Sequence, residues 1–521
     1  MTRSLSACTF IAMVSLVCAG CGGSNSSGSQ ELSDFIDELQ QLDPGDDYVA
    51  PLGNLTDLGD LVEPGGDHWY YTRAAAMNDA GTVVGQSNAG SPVNAAFRWD
   101  PPAGPMTFLG IHSGTYDDHY DINYEPASPR HYFIYSEAAG INSAGTIICN
   151  STTGIGWPED LEKRAFVVID GVPLDLPPET FYVIFGEDPE GNPTYRNVIG
   201  SYSEAVDVNE RGELALTVED RPGEKHAYFW DGSSSHTETL QIVAGENIVG
   251  TIDVTVPDYI SLGRIVGEDS HAVAINENHH GVVNSGGTAV FCDLNWGVVE
   301  SLNHLPIGGQ FDNIRTDAVD INDSRYLNWD GIPDPHIIGH TWVDDNADSA
   351  LDVRFDRAMG FLWDGGAMYP VGHLGGGRSQ VSDLNNNDQV VGASTTADGS
   401  LHAFVWTLGP DERGAIQDLG TLGGANSFAT AINEAGQIVG YSETGATYRE
   451  GGTTYVVRHA FLWDDGEMYD LGIHNYFYDY PFVQPYPFSE AVSINASGQV
   501  AGNSITINSH YRGFFLSPVF P

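Results

Sequence analysis

A ten-residue hairpin pattern recurs along the chain and limits the folds open to it more than any other feature. The copy AINEAGQIVG covers residues 431–440, AMNDAGTVVG lies near the start and SINASGQVAG near the end. Each copy is anchored on an asparagine. There are eight such anchors: Asn78, Asn142, Asn209, Asn276, Asn322, Asn385, Asn433 and Asn495. This regular recurrence predicts an architecture that uses one supersecondary unit many times.

Each copy of the pattern predicts a tight β-hairpin. Before the asparagine, as in SFATAIN, small residues alternate with larger apolar ones, which is the period of a strand. The Asn-x-x-Gly sequence suits a type I turn closed by glycine in the left-handed region, where a Cβ would clash. The segment GQIVG then runs back as a second strand.

Two further motifs complete the unit. AFRWD, AYFWDG, GFLWDGG, HAFVW and HAFLWDDG begin at residues 96, 227, 360, 402 and 459, and FLG or DLG begins at residues 108, 418 and 470. We interpret them as a third strand and, after an Asp-Gly turn, a fourth. Four antiparallel strands repeated in a row describe the blades of a β-propeller. We interpret the periodic tryptophans as core between blades: Trp99, Trp230, Trp363, Trp406 and Trp463.

The two ends of the repeat array are complementary. The last unit supplies three strands, and NLTDLGDL at 54–61 matches the fourth-strand sequence IQDLGTL at 416–422. Pairing this N-terminal strand with the C-terminal ones removes the free sheet edge. We therefore predict an all-β fold, an eight-bladed β-propeller of four-stranded antiparallel blades closed by that pairing. Seven blades are the alternative if residues 244–303 form something else, and an open β-solenoid is the alternative to a ring.

The stretches HAFLWDDGEMYDLG and DLGTLGGANSFATAINEAGQIVGYS resemble the bacterial extracellular repeat called the HAF family. The resemblance is closest over 360–475 and extends, more weakly, from about residue 74 to the end. Units two and four depart from the pattern, because AFVVIDG and AVFCDLN lack the tryptophan and Cys149 replaces the second-strand glycine. The family is defined by its repeat and its export, so the resemblance implies no catalytic residues.

The N-terminus predicts export. Its apolar core, Leu5 to Val17, is too short to span a bilayer. The sequence around Cys21 resembles a bacterial lipoprotein signal with Cys21 as the lipid attachment site, although Cys18 stands where an aliphatic residue is usual. By the sorting pattern of Gram-negative lipoproteins, this resemblance implies the outer membrane, because Gly22 rather than Asp follows Cys21. We expect a lipid-anchored protein of the bacterial cell envelope, at the outer membrane or cell surface, with simple secretion as the alternative.

The chain then divides into three segments. We predict a signal peptide over 1–20, a flexible linker over 21–47 and the propeller over 48–521. A short helix is expected at Glu31–Leu42, whose apolar spacing suits one or two amphipathic turns.

Charge excludes several partners. The chain has 71 acidic and 20 basic residues, a net charge of -51. Such a charge repels phosphate backbones and anionic headgroups, so we expect no nucleic acid, and membrane contact only through the N-terminal lipid. Outside the leader only Cys149 and Cys292 remain, which we interpret as small buried strand residues, with a disulfide as the alternative.

Two segments that cross between units are rich in tyrosine. In an up-and-down blade the first and third turns share one face of the disc, and nearly all the extra sequence falls in the connections of the other face, where binding residues concentrate. Tyrosine gives rigid, amphipathic contact area suited to a glycan or an envelope or extracellular protein. Burial of these aromatics over the rim is the alternative. The predicted ligand-binding residues are Tyr116, Tyr120, Tyr124, Tyr476, Tyr478, Tyr480 and Tyr486.

Calcium is the one cofactor that the sequence suggests. Asp344, Asn346, Asp348 and Asp352 place oxygen ligands at alternate positions, but without the central glycine and terminal glutamate of an EF-hand loop. Asp117, Asp118, His119 and Asp121 form a second, similarly weak candidate.

No catalytic motif is present: the sequence has no P-loop, HExxH or GxSxG. We therefore predict a non-enzymatic binding scaffold. A glycan-active hydrolase or lyase that uses paired carboxylates, and a non-catalytic structural component of the envelope, are the alternatives.

Overall fold

The computed structural model describes most of the repeat region. The described residues are 55–61, 71–88, 94–102, 104–110, 132–155, 162–176, 180–187, 193–199, 202–221, 224–244, 247–261, 269–295, 298–302, 304–305, 314–323, 335–343, 357–409, 414–450, 453–472, 488–505 and 511–518. The predicted signal peptide, linker and Glu31–Leu42 helix lie outside them.

Every element among the described residues is a β-strand. The strands are β1 (Thr56–Asp57), β2 (Thr72–Met77), β3 (Val83–Asn88), β4 (Asn94–Trp99), β5 (Thr107–Phe108), β6 (Tyr132–Ile141), β7 (Ile147–Ile155), β8 (Glu162–Ile169), β9 (Val172–Leu176), β10 (Thr180–Glu187), β11 (Pro193–Ile199), β12 (Ser203–Val208), β13 (Leu214–Arg221), β14 (Glu224–Ala244), β15 (Asn247–Ser261), β16 (Ser270–Ile275), β17 (His280–Ser285), β18 (Thr288–Asp293), β19 (Val298–Ser301), β20 (Ile314–Ile321), β21 (Ile337–Val343), β22 (Arg357–Trp363), β23 (Met368–Pro370), β24 (Gly375–Leu384), β25 (Gln389–Thr396), β26 (Leu401–Leu408), β27 (Gly414–Gly420), β28 (Ser427–Ile432), β29 (Ile438–Glu450), β30 (Thr453–Asp464), β31 (Glu467–Gly472), β32 (Phe488–Ile494), β33 (Val500–Ile505) and β34 (Tyr511–Leu516). None of the described segments is a helix long and apolar enough to cross a membrane.

Thirty-two of these strands form eight units of four antiparallel strands, and each unit carries one anchor asparagine between its first and second strands. The other two, β10 and β11, pair with each other as a separate antiparallel hairpin between units 2 and 3. Units 1 to 8 begin at β2, β6, β12, β16, β20, β24, β28 and β32. A single parallel pairing joins units 1 and 2, and another joins units 7 and 8. The fourth strand of unit 8 is β1, which pairs with β34 so that Thr56 lies opposite Phe515. The predicted all-β architecture of four-stranded antiparallel sheets is confirmed.

The first strand of every unit carries the same β-bulge, three residues before the anchor asparagine. In unit 7 the register shifts between Ala429 and Ala431. A Cβ on Gly440, opposite this bulge, would lie 2.0 Å from the carbonyl oxygen of Phe428. The glycine that ends GQIVG therefore lets the first two strands approach, and the bulge adds local twist.

The hydrophobic core lies between neighbouring units. Val405 of unit 6, for example, packs in one cluster with Phe461 of unit 7. Four of the five periodic tryptophans are buried, and Trp463 is half-buried against that cluster. This confirms their interpretation as core. Cys149 and Cys292 are buried free thiols rather than a disulfide.

The two sides of the array differ in their connections. We call the side with the first and third turns of each unit the turn face, and the side with the second turns and unit-to-unit crossings the crossing face. The prediction of short Asp-Gly turns is wrong in unit 3. There the residues between Trp230 and Ser235 form a register shift, and pairing continues to Ala244 and Asn247. Because the chain passes Asp231-Gly232 without reversing, unit 3 extends a long hairpin from the turn face.

Candidate functional site

The eight anchor asparagines form one continuous series of hydrogen bonds on the turn face. The side-chain Nδ2 of each anchor donates to the backbone oxygen of the anchor in the next unit, at distances from 2.8 to 3.2 Å. The series runs from Asn78 through every unit to Asn495, whose Nδ2 donates back to the oxygen of Asn78 at 3.1 Å. Each anchor therefore connects its own turn to its neighbour.

The same side chain also organises its own turn. Oδ1 of Asn433 accepts hydrogen bonds from the backbone N–H groups of Ala435 at 3.1 Å and Gln437 at 3.0 Å. Gly436 has a φ of 84°, so the turn is closed by glycine in the left-handed region, as predicted from Asn-x-x-Gly. Both ends of the amide are thus occupied by structural partners.

A second series of bonds surrounds the first. In most units the backbone N–H after the anchor donates to a side-chain oxygen at the equivalent position of the next unit. The N–H of Glu277 donates to Asp323 at 2.7 Å, and the N–H of Asp323 donates to Asn386 at 2.8 Å. The same bond is made to the side chains of Asp79, Glu210, Glu277 and Glu434. These carboxylates are therefore caps for backbone donors rather than open ligands.

The eight anchor turns and the hydrogen bonds between them form what we call the hub. Two histidine–carboxylate contacts replace the usual glutamine and glycine of the hub. In units 6 to 8 the fourth residue after the anchor is glutamine, and Gln437 fits beneath Gly498 of the following unit. Between units 3 and 4, Glu213 instead lies 3.0 Å from Nδ1 of His279. Between units 5 and 6 the order is reversed, and Nδ1 of His336 lies 2.6 Å from Asp388. At both of these positions, where His279 or Asp388 stands in place of the glycine, the preceding unit supplies a complementary partner.

Three aspartates occupy the position two residues before the anchor: Asp207, Asp320 and Asp383. Oδ2 of Asp383 accepts the N–H of Ile432 at 2.8 Å, and Oδ2 of Asp207 accepts the N–H of Ile275 at 2.9 Å. Burial raises the pKa of Asp383 to about 6 and the pKa of Asp320 well above its usual range, and these two carboxyls are hydrogen-bonded to each other. Within the described ranges, no group of three or more His, Cys, Asp or Glu side chains could hold a metal ion.

Serine hydroxyl groups join neighbouring units on the crossing face, and we call each such serine with its two hydrogen bonds a latch. Oγ of Ser136 in unit 2 accepts the N–H of Ala96 and donates to the oxygen of Gly110, both at 2.9 Å. Ser489 of unit 8 makes the same pair of bonds to Ala460 and Gly472 of unit 7. Gly110 and Gly472 immediately precede the two tyrosine-rich crossings. The latches therefore fix the points from which both crossings leave the sheets.

The histidines of the HAFVW and HAFLW motifs have structural partners. Nδ1 of His402 contacts Asp418 at 2.9 Å, and Nδ1 of His459 contacts Asp470 at 2.9 Å. In each case the aspartate begins the DLG motif of the same unit. In unit 8 this position is occupied by Arg512, whose Nη1 lies 2.7 Å from Asp60. The histidines thus join third and fourth strands.

Cations and aromatic rings meet in two places on the crossing face, at the junction of units 7 and 8 and at the junction of units 2 and 3, and we call these two places the clefts. Arg458 lies over the rings of Tyr441 and Phe488, with the guanidinium carbon 4.2 and 4.1 Å from their centroids. Lys225 lies over the ring of Tyr202, with Nζ 3.3 Å from its centroid. Lys225, Lys163 and Arg458 occupy one repeat position, directly before the first residue of the HAF motif, and the chain has no other lysine.

The residues predicted for ligand, metal and lipid binding lie outside the described residues. The structure places the two tyrosine-rich segments, 111–131 and 473–487, between a fourth strand and the next first strand. The residues concerned are Tyr116, Tyr120, Tyr124, Tyr476, Tyr478, Tyr480 and Tyr486 for the ligand, Asp344, Asn346, Asp348, Asp352 and the Asp117–Asp121 cluster for the metal, and Cys21 for the lipid.

Comparison with known proteins gives only distant similarity. No protein-family model and no curated protein matches the chain. The β-propeller domain of the Trilobed protease from Pyrococcus furiosus is 9% identical, with coverage of 71% of this chain and 89% of that chain and a TM-score of 0.34. An ulvan lyase, a polysaccharide lyase, is 11% identical over 81% of this chain and 95% of that chain, with a TM-score of 0.32. The Aleuria aurantia lectin is 10% identical over 67% and 96%, with a TM-score of 0.25. At these TM-scores the likenesses carry no argument.

Sequence reasoning missed the cation–aromatic clefts. The signal was present in the restriction of lysine to a single repeat position, at Lys163 and Lys225. The aromatic partners could not be read from the sequence, because Phe488 belongs to a different unit from Arg458 and meets it only after the units pack.

Proposed function

We propose that this chain is a closed, eight-bladed β-propeller that acts as an exported, non-catalytic scaffold and binds a glycan or an extracellular protein on its crossing face. The observation that carries the proposal is the series of asparagine hydrogen bonds that leaves Asn78, passes through all eight units and returns to Asn78. A series that returns to its origin is expected of a ring and not of an open array. The pairing of β1 with β34 supports the same closure.

The chemistry of the hub favours a scaffold over an enzyme. The anchor amides and the capping carboxylates are occupied by backbone partners of their own or the next unit. Their acceptor capacity is therefore used in holding neighbouring units in register. A rigid hub of this kind suits presentation of loops, which is how binding residues are commonly carried.

The tyrosine-rich crossings are the proposed binding elements. They leave units 1 and 7 at latched glycines, Gly110 and Gly472, and in a closed ring only unit 8 separates those two units. Loops on fixed stems at this spacing would flank one groove. Tyrosine side chains there would offer stacking surface and hydroxyl groups to a sugar or a peptide at low entropic cost.

We further propose that the mature chain is held at the cell envelope by lipid on Cys21. A Cys21→Ala variant is expected to leave the membrane fraction and to lose incorporation of a labelled fatty acid, whereas the parent chain keeps both. Membrane retention of the variant without label would contradict the lipid anchor and leave the binding proposal untouched.

A glycan array probed with the full chain tests the binding proposal. We expect discrete hits that are lost when Tyr476, Tyr478 and Tyr480 are changed together to serine, with calcium and chelator arms to show any cation dependence. Tyr469→Ser is the matched control, because Tyr469 lies on β31, before the crossing rather than within it. Equal capture by the triple variant would exclude this loop as the site, and release of new reducing or unsaturated ends would favour an enzyme.

A further inference from the structure

We infer that the cleft between units 7 and 8 is a subsite for the carboxylate or sulfate group of an acidic saccharide, with Arg458 as its anion-binding residue. This inference rests on the proposed glycan-binding function and names the ligand class for the same face. It depends on three features of Arg458: the rings that hold it, the absence of a neutralising partner, and its place in the repeat.

Arg458 packs against two aromatic rings. Its guanidinium carbon lies 4.2 Å from the ring centroid of Tyr441 on β29 and 4.1 Å from that of Phe488 on β32. Phe428 on β28 extends the stack, with its ring parallel to Tyr441 within 9° and their centroids 5.7 Å apart. A guanidinium packed against rings through its face keeps N–H groups along its edge, and these can donate paired hydrogen bonds to a planar carboxylate or a sulfate.

The carboxylate closest in register does not neutralise this cation. Glu443 is the cross-strand partner of Arg458 in the β29–β30 pairing. Its carboxylate instead accepts the backbone N–H groups of Ala425 and Asn426, both at 3.1 Å, and the Nδ2 of Asn426 at 2.9 Å. Among the residues that the structure describes, Arg458 makes its contacts with rings and forms no ion pair. In a chain with a net charge of -51, such a cation is unusual.

In unit 2 the repeat position of Arg458 is occupied by a cation that is neutralised. Lys163 of unit 2 precedes the HAF-equivalent strand as Arg458 does in unit 7, and its Nζ forms an ion pair with Glu204 of unit 3. Glu204 also accepts the hydroxyl hydrogen of Tyr202. Burial alone would raise the pKa of Glu204, but the bonds from Lys163 and Tyr202 lower it, so the carboxylate stays ionised beside Lys163. In the cleft between units 2 and 3 the charge of the cation is therefore neutralised by Glu204 of the protein itself. In the cleft between units 7 and 8 the charge of Arg458 is left for an anionic ligand.

The position of the cleft suits a glycan site. Arg458 follows the second turn of unit 7 on the crossing face, and Phe488 is the first described residue after the crossing from unit 7 to unit 8. Tyr441, Arg458 and Phe488 are each half-buried, so the stack is anchored in the protein and still reaches solvent. Burial raises the pKa of Tyr441, which keeps its ring neutral and its π-face available to the cation.

The test is calorimetric titration of the full chain with three oligosaccharides of matched length: oligogalacturonate, a sulfated dextran oligosaccharide and neutral dextran. We expect one of the anionic probes to bind and neutral dextran to bind at least 10-fold more weakly. Arg458→Met, which keeps an apolar side chain against the rings, should weaken anionic binding at least 10-fold. Arg458→Lys, which keeps the charge without the fork, should fall between the two. The two anionic arms distinguish carboxylate from sulfate.

Lys163→Met is the matched control, since it removes a cation from the same repeat position on the same face. It is expected to leave anionic affinity within 2-fold of the parent chain. Equal affinity in the parent, Arg458→Met and Arg458→Lys chains would overturn the inference, as would failure of both anionic probes to bind. Binding of neutral dextran that depends on the crossing tyrosines and not on Arg458 would contradict the anion subsite but support the proposed function.

Discussion

Nδ2 of Asn495 donates a hydrogen bond to the backbone oxygen of Asn78, which precedes it by 417 residues. The bond has the same donor and acceptor atoms as the seven between consecutive units. A contact this distant in sequence is costly to form until the intervening units are in place, because loop closure is paid in chain entropy. The closing asparagine therefore reports on the integrity of the entire array.

Replacing Asn495, a buried turn residue, should destabilise the protein strongly. Asn495→Ala leaves the N–H groups of Ser497 and Gln499 and the oxygen of Asn78 without their side-chain partner. With about 1–3 kcal/mol for a buried polar group left unsatisfied, we expect a loss of about 2–4 kcal/mol in the free energy of unfolding. Denaturant unfolding measures it. The control Gln417→Ala, at an exposed position of β27, should change stability by about 0.5 kcal/mol or less. Equal effects at the two positions would contradict the role of the asparagine series.

The ion pair between Arg512 and Asp60 joins the last strand of the array to the first described segment. Nη1 of Arg512 lies 2.7 Å from Oδ2 of Asp60, and their side chains are 9% and 3% exposed. Arg512→Met should cost about 3–5 kcal/mol, because it leaves a buried carboxylate without its cation. Adding Asp60→Asn should restore part of the loss. If the double variant is as unstable as the sum of the single ones, the two residues do not act as a pair.

The contact between Glu213 and His279 predicts that one substitution, Glu213→Gln, has opposite effects on stability in two backgrounds. His279 has a φ of 60°, which favours glycine, and Glu213 is 5% exposed. Glu213→Gln alone should destabilise the parent chain. In the His279→Gly background, where the carboxylate has lost its histidine and keeps only the bond from Asn209, the same change should stabilise, since it recreates the Gln-over-Gly arrangement of units 7 and 8. A double-mutant cycle with a coupling free energy above about 1 kcal/mol is expected, and additivity would contradict this coupling.

The carboxyl pair of Asp320 and Asp383 predicts how stability changes with pH. Burial raises both pKa values, that of Asp383 to about 6, so the folded chain binds protons that the unfolded chain has released. Since folded pKa values above the unfolded ones mean more bound protons in the native state, this pair's contribution to stability decreases as pH rises from about 4 through 6 and above. Asp383→Asn should flatten that slope and raise stability at pH 7. An unchanged slope between pH 5 and 7.5, in urea unfolding, would show that the pair does not titrate as described.

Much of the fold could be predicted from local sequence. The Asn-x-x-Gly turns, the burial of the periodic tryptophans and the complementarity of residues 54–61 to the last unit follow from strand period, turn chemistry and repeat alignment. The Asp-Gly prediction was wrong in unit 3, because Asp231-Gly232 can also be absorbed as an irregularity inside a longer hairpin. A dipeptide alone does not distinguish a turn from a bulge.

The candidate site was less predictable, because its contacts cross between units. The partner of Arg458 is Phe488, and the partner of Glu213 is His279, each pair brought together only by packing of consecutive units. The anchors were recognised as turn residues, but the bond from each Nδ2 to the next anchor depends on the angle between neighbouring sheets. That angle cannot be predicted from the sequence pattern of a single unit.

The most direct test of the closed eight-unit ring is a cryo-electron microscopy map of the full chain, viewed along the proposed ring axis. The account predicts eight radial sectors, continuous density between units 8 and 1 at Asn495 and Asn78, and β1 as the outer strand beside β34. Seven sectors, or a gap between the last and first units, would contradict it.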